Sequence, residues 1–373
     1  MNTFNYVATC LFGLEKFVGE EIDECGGKRT ETIDGRVYFS GSEEVIARAS
    51  INLRTAERLF IELGRFNAET FTELFDQVKM LQWEYFIGKE DAFPVKGHSI
   101  KSKLYSIPDC QSIIKKAVVE RLKQCYKTDW FNETGTKYQI EFFILNDTVS
   151  VMIDTSGIPL HKRGYRTESG AAPIRETLAA ALVKISRPRE EVRLWDPFCG
   201  SGTIPLEAAL MMTNTAPGLN RHFAAENYSF LNKQIWKNAR EEARSKIKAD
   251  SEFIAFASDI DPFVLKTAKA NIRRAGMEKH IKVFQKDATT ITNDSIRTTI
   301  VCNPPYGERL ENIRKAEELY KAMGKNFPQL SPWQIYIITS DEKFEYFYGK
   351  KADKVRKLYN GMLKCNYYQY FKR

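Results

Sequence analysis

Asn303-Pro304-Pro305-Tyr306-Gly307, directly after the apolar run Thr298–Cys302, is the segment whose residue types most constrain a chemistry. Two prolines at a strand tip remove backbone donors and stiffen the loop. The Asn303 side-chain oxygen and the Pro304 carbonyl are then left as fixed acceptors. Two acceptors around one point can hold an –NH2 group so that its nitrogen lone pair aims at an electrophile. Tyr306 can stack on a flat ring, a contact worth roughly 1–3 kcal/mol per base. A rigid turn would account for the prolines but not for Asn303 and Tyr306.

Three acids precede this segment, each at the end of an apolar run. Asp196 opens DPFCGSGT, in which the backbone turns through Gly200 and Gly202 before a helix. Glycines let main chain approach a ligand closely, and the first N–H groups of a helix favour an anion. No Gly-Lys-Ser/Thr follows, so this is not a phosphate loop of the Walker type. Pro205 stands where a dinucleotide fingerprint needs its third glycine. Asp196 itself can pair with an ammonium group. Asp259, in SDIDP, can accept both ribose hydroxyls of an adenosine, while Asp261 before Pro262 suits a helix cap. Asp259 lies 57 residues after Gly202, and treating the 37 residues Asn214–Asp250 as an insertion restores the usual spacing of about 20. Asp287, in QKDAT, can accept from an adenine amino group.

These motifs need a strand–loop–helix scaffold, and the second half of the chain supplies one. VRLWDPFCGSGTIPLEAALMM, FIAFASDIDPFVLKTAKANIRRAG, IKVFQKDAT, TTIVCNPPYG and WQIYIITS alternate apolar strands with helices, the pattern of an α/β doubly wound parallel sheet. A helix over Pro173–Ile185 precedes them. The end reads as an antiparallel hairpin joined through Asn360-Gly361 and closing the sheet edge. The front is α+β: strands at YVATCLF and GRVYFSG, helices over GLEKFVGEEIDECG and Ser42–Asn52, and an amphipathic helix over residues 70–88. A strand over Pro94–Leu104, a helix from Pro108 to Tyr126, and a hairpin of YQIEFFIL and TVSVMIDTS through Asn146-Asp147 follow.

The chain has 373 residues, enough for two or three domains. No apolar run reaches the roughly 18 residues that a membrane span needs. The start lacks a basic n-region, so the cytoplasm is expected. Seven cysteines without a C-x-x-C pair and four histidines argue against both a zinc site and a disulfide framework. Net charge is +8, and its distribution is uneven. Residues 1–50 hold five Lys/Arg against nine acids, residues 95–130 eight against three, and residues 343–373 nine against two. Such blocks suit a polyanion.

DPFCGSGT, SDIDP, KDA and NPPY resemble, in order, the motifs of class I S-adenosylmethionine methyltransferases acting on base amines. The front of the chain resembles a ferredoxin-like segment followed by a THUMP domain, an RNA-binding module. LHKRGYR (160–166) and APIRETLAAAL (172–182) are similar to the linker and opening helix of the bacterial THUMP methyltransferases, which include the large-subunit rRNA guanine-N2 methyltransferases. The resemblance covers nearly the whole chain. It implies a ferredoxin-like segment at 1–65, a THUMP domain at 66–156, a linker at 157–172 and a Rossmann-like catalytic domain at 173–373. It also implies S-adenosyl-L-methionine as cofactor, RNA as partner and no metal. Asp196 and the Gly200–Gly202 backbone, with Pro197, Phe198 and Thr203, would hold the cofactor's methionine end. Asp259 and Ile260 would hold the ribose, and Asp287 and Ala288 the adenine. Asn303, Pro304 and Tyr306 would hold the target base, Asn303 also touching the cofactor. Lys101, Lys103, Lys115, Lys116, Lys162, Arg163, Arg166 and the basic tail are expected on phosphates. Some large-subunit enzymes carry a second methyltransferase domain and this chain one, which leaves the RNA target open. A tRNA guanine-N2 enzyme, a DNA adenine-N6 enzyme and a non-catalytic RNA-binding assembly protein are the competing readings.

Overall fold

The computed structural model describes residues 3–166, 174–306 and 310–371. Two seven-stranded sheets organise the chain. The first is built from β1 (Thr3–Cys10), β2 (Lys28–Ile33), β3 (Arg36–Ser42), β4 (Ala56–Asn67), β5 (Val95–Ile100), β6 (Ile140–Leu145) and β7 (Thr148–Asp154), in the order β2-β3-β1-β4-β7-β6-β5. Helices α1 (Glu15–Glu24), α2 (Glu43–Asn52), α3 (Phe71–Met80) and α4 (Ile107–Tyr126) accompany it. Only β5 and β6 run parallel; every other neighbouring pair is antiparallel. The ferredoxin-like and THUMP regions thus share one continuous sheet through the β4–β7 ladder.

Several sequence expectations change here. β2 is solvent-exposed along nearly its whole length and carries no apolar alternation, so no periodicity marks it. β4 also went unmarked. The helix expected over 70–88 stops at Met80. A capping box between Thr70 and Glu73 starts it, and a separate 3-10 turn, Trp83–Tyr85, buries Trp83 with its indole N–H on the Val78 carbonyl at 2.8 Å. The strand expected over 94–104 ends at Ile100, where Lys101 turns to a φ of +49°. Asn146 and Asp147 form the β6–β7 turn with φ values of +48° and +61°, the two positive values of a type I′ hairpin.

The second sheet holds β8 (Arg193–Asp196), β9 (Ala255–Asp259), β10 (Ile281–Gln285), β11 (Thr298–Cys302), β12 (Gln334–Thr339), β13 (Lys354–Asn360) and β14 (Leu363–Tyr370), in the order β10-β9-β8-β11-β12-β14-β13. The first five are parallel; β14 lies antiparallel between β12 and β13. The final hairpin turns on Gly361 and Met362 rather than on Asn360-Gly361. Asn360 still pairs with Leu363, and Gly361 at φ +65° takes the position that glycine favours in a type II′ turn. Helices α5 (Glu176–Ser186), α6 (Thr203–Met212), α7 (Gln234–Ser245), α8 (Pro262–Arg274), α9 (Leu310–Asn326) and α10 (Phe344–Tyr348) connect or cover the strands. α5 begins at Glu176, later than expected; Pro173 lies outside the described residues. The middles of β8, β11 and β12 are apolar and feed two clusters, Leu194, Val301 and Ile338 in one and Ile300, Ile335 and Ile337 in the other, as in a sheet buried on both faces.

The 37-residue excursion after α6 belongs structurally to the front of the molecule. Ala216, Leu219, Phe223, Ala225, Tyr228 and Trp236 enter the same apolar core as β1, β4 and α2. Tyr228 stacks on Tyr138 at 4.3 Å between ring centroids, and the Ala225 N–H donates to the Thr155 carbonyl at 3.1 Å. The excursion clamps the two sheets together.

Candidate active site

The order of the second sheet reverses at β8, which has β9 on one side and β11 on the other. Such a reversal opens a crevice beyond the carboxyl ends of the strands. Asp196, Asp259, Asp287 and Asn303 all stand at those ends, each at or just past the last residue of β8, β9, β10 or β11. The Ile300–Trp195 register sets Val301 level with Asp196 and Asn303 two residues further along the neighbouring strand, about 6 to 7 Å past that level.

Asp196 is buried, and its Oδ1 accepts the Phe198 N–H at 3.0 Å. Burial holds its carboxyl well above the usual carboxylate range; the Phe198 N–H opposes this, and the charge of Asp259 adds to it. No cation among the described residues offsets that acid. The loop after it bends at Gly200 (φ +49°) and Gly202 (φ +83°), conformations that favour glycine. A side chain at Gly200 would point into open space, so a ligand can lie against bare backbone there. Asn271 of α8 donates to the Ser201 carbonyl at 3.0 Å, Cys199 N–H to the Ser258 carbonyl at 3.0 Å, and Trp195 Nε1 to Ser258 Oγ at 2.9 Å. Asn271, Ser258 and Trp195, whose part here sequence reasoning missed, fix the loop. Asn271 was the detectable one, a polar residue on the buried stripe of an amphipathic helix.

Asp259 accepts from the N–H groups of Gly200 and Asp261 at 3.0 and 3.1 Å, tying β9 to the glycine loop. Asp261 caps α8 by accepting the Phe263 N–H at 2.8 Å. Ile260 and Phe263 beside it are 64% and 72% exposed, a free apolar flank. Asp287 caps a 3-10 turn through Thr289, and Ala288 is buried next to it. An ammonium-bearing adenosine fits these groups: an uncompensated buried acid for the ammonium, bare glycine backbone beside it, and an acid with apolar neighbours for the sugar and purine.

Asn303 is half-buried, and its side-chain amide makes no hydrogen bond to any described residue. Pro304 is buried and Pro305 exposed. The Pro305 carbonyl accepts from the Tyr320 hydroxyl of α9 at 3.2 Å, and that hydroxyl also meets Thr339 Oγ1 of β12 at 3.1 Å. Tyr320 is fully buried, so the loop is pinned from beneath. Neither Tyr320 nor Thr339 carried a sequence signal, because their contacts cross between elements. Cys199 and Cys302 are buried and their thiols pushed up, first by burial and then by Asp196. They offer no thiolate nucleophile.

The residues expected on phosphates separate into groups. Lys101, Lys116 and Lys162 are exposed and make no ion pair among the described residues; Lys103 is exposed but pairs with Glu69. Lys115 is instead held by Glu133 at 2.5 Å and by the Phe93 carbonyl at 3.1 Å. Arg163 is buried: it faces Glu207 at 3.5 Å and donates to the Leu160 carbonyl at 2.6 Å and to the Arg54 carbonyl. A cation spent on internal acceptors cannot reach a phosphate, so Arg163 is a structural residue of the seam. Arg166 is likewise occupied by Glu176 at 3.5 Å and by Thr203 at the glycine loop.

The fold and crevice together define a class I methyltransferase domain behind an α+β front. Comparison with known proteins narrows this. Residues 163–369 match the family described as "RMKL-like, methyltransferase domain", residues 5–60 the "RlmL ferredoxin-like domain" and residues 68–154 the "THUMP domain". The chain belongs to the RMKL-like methyltransferase family, with the RlmL-type front domains. It is 44% identical over its whole length, and over 97% of the relative, to Putative RNA methyltransferase YpsC of Bacillus subtilis (strain 168). It is 31% identical to Ribosomal RNA large subunit methyltransferase K/L of Shewanella frigidimarina (strain NCIMB 400), covering 97% of this chain but 52% of that protein. The chain therefore spans about half the length of that K/L relative. The crystal structure of SMU.472 complexed with SAH superposes with a TM-score of 0.94 at 40% identity, covering 100% of this chain and 99% of that one. SAH is S-adenosylmethionine less its methyl group, and S-adenosylmethionine is the cofactor of this chain. Among the described residues no helix is long and apolar enough to cross a membrane.

Proposed function

We propose that this protein methylates N2 of a guanosine in large-subunit ribosomal RNA. What carries the reading is the Asn303 amide, without a hydrogen-bond partner among the described residues and fixed by two prolines at the strand tip next to the strand of Asp196. The THUMP domain and the K/L relative's printed name support RNA, and ribosomal RNA in particular. When bound, S-adenosylmethionine supplies a methyl group electrophilic enough to need no activation. The residues' task is then positioning. Asp196 and the Gly200–Gly202 backbone hold the methionine end, with Pro197, Phe198 and Thr203 forming the loop. Asp259 and Ile260 take the ribose, Asp287 and Ala288 the adenine.

Asn303 Oδ1 and the Pro304 carbonyl accept the two N–H bonds of the guanine amine. That favours a pyramidal nitrogen and stabilises the positive charge growing on it. No side-chain base is needed, since the amine's surplus proton leaves to solvent after transfer. Extruding the base costs a few kcal/mol, which Tyr306 stacking and phosphate contacts by Lys101, Lys103, Lys116 and Lys162 offset. Residues 1–65, 66–156, 157–172 and 173–373 serve as the working domain division, and a ribosomal substrate implies the cytoplasm.

The test is tritiated-methyl incorporation into ribosomal RNA, transfer RNA and duplex DNA, followed by nucleoside mass spectrometry of the labelled product and of RNA from a deletion strain. N2-methylguanosine in large-subunit rRNA is expected, with its loss on deletion. Labelling of tRNA, or N6-methyladenine in DNA, would replace the reading.

A further inference from the structure

The excursion that clamps the two sheets also encloses a groove of about 570 Å³ between α7 and the loop before it. Lys233, Lys237, Arg240 and Arg244 recur at three- and four-residue spacing, which puts them along one face of α7. Arg221 and His222 face them from the loop. The acids are kept out of the way. Glu242 pairs with Arg48 across the seam at 2.9 Å, and Glu226, the one acid lining the groove, is taken up by Arg240 at 2.7 Å. Lys233, Lys237 and Arg244 are exposed and make no ion pair among the described residues.

The floor is built rather than incidental. Arg221 is buried and anchored on the Ile158 and Leu160 carbonyls at 2.8 and 2.9 Å. Burial, with Arg163 nearby, pulls it down to about 10. Arg240 donates to the Arg221 carbonyl at 2.7 Å. Trp236, 3% exposed, lines the groove, and its indole N–H has no hydrogen-bond partner. A cationic floor held by main-chain carbonyls and exposed cations at the rim, unpaired among the described residues, are what a phosphodiester needs.

The groove has a fixed relation to the crevice. α6 starts at the glycine loop and runs ten residues to the excursion, so the two ends lie about 15 Å apart. The linker also joins them: Gly157 packs on Ala224 at one end, and Arg166 meets Thr203 at the other. We infer that this groove is a second RNA-binding site, gripping the phosphodiester backbone of the substrate at a distance from the base being methylated. The inference rests on the proposed RNA substrate.

The experiment replaces Lys233, Lys237 and Arg244 together with serine, and compares this variant with a control carrying serine at Lys28, Lys279 and Lys325. Binding of a short RNA duplex, of transcribed large-subunit rRNA and of inorganic phosphate is measured across salt concentrations, alongside SAH affinity and melting temperature. The groove variant is expected to lose about tenfold or more in affinity for both RNAs and to flatten the salt slope by about 2 to 3, while the control changes little. SAH affinity and melting temperature should match the parent. Equal losses in groove variant and control would overturn the inference, as would a groove that takes up phosphate but whose loss leaves RNA binding unchanged. RNA binding that depends on the groove without methyl transfer to rRNA would leave this site standing and remove the proposed function instead.

Discussion

The acidic strand tips and the Asn303 corner stand side by side at one end of the same sheet, yet they hold their polar groups in opposite ways. Asp196, Asp259 and Asp287 are already engaged with main-chain N–H groups of Phe198, Gly200, Asp261 and Thr289. They are parts of the fold as much as ligand contacts, so the cofactor end is set before anything binds. Among the described residues Asn303 has no such engagement, and its fixation is indirect, through buried Pro304 and through Tyr320 beneath Pro305. The corner keeps its acceptors for an incoming group. On the proposed reading, one side pre-organises the cofactor and the other leaves its acceptors for the target base.

The largest expected effect breaks the cofactor side alone. Asp196→Asn removes a buried acid that no cation among the described residues offsets, and should weaken cofactor binding by roughly 100-fold. The same change should raise the ligand-free melting temperature by about 2 °C near pH 8. Here the native carboxyl lies above its unfolded value, so the parent loses stability as pH rises out of the ordinary carboxylate range toward that raised value. The gain should therefore shrink toward pH 4, and a scan of melting temperature against pH checks it. On the other side, Tyr306→Ala should raise KM for RNA roughly tenfold by removing the stacking face, with cofactor affinity kept, as steady-state kinetics in each substrate would report. Tyr320→Phe leaves the corner's acceptors in place but unpins them. A loss of about 1 kcal/mol in stability and a several-fold fall in kcat are expected from denaturation and rate measurements. Smallest is Asp261→Ala, which deletes the α8 cap for about 1 kcal/mol and leaves Asp259 in place; unchanged SAH titration would separate cap from contact.

The strand tips were legible because each is a polar residue at the end of an apolar run, and at Asp196, Asp259 and Asn303 a Pro within three residues stiffens the turn. The parallel sheet followed from the same alternation of apolar strands and helices, while its strand order came only from the structure. What escaped depends on contacts between distant segments. β2 is an exposed edge with no pattern to mark it, and the excursion's apolar residues suit a surface helix until the front sheet covers them. Arg163 looked like one more linker cation, but Glu207 and two carbonyls more than a hundred residues of chain apart bury it. Spacing located the chemistry, and only packing could say which cations remain free.

The account turns on Asn303 gripping the amine rather than the cofactor. Single-turnover transfer to rRNA by Asn303→Ala, measured together with S-adenosylmethionine affinity, addresses that division directly. The rate should fall by roughly 100- to 1000-fold while the dissociation constant stays within about threefold. A rate near the parent's, or a cofactor affinity that falls in step with the rate, would contradict it.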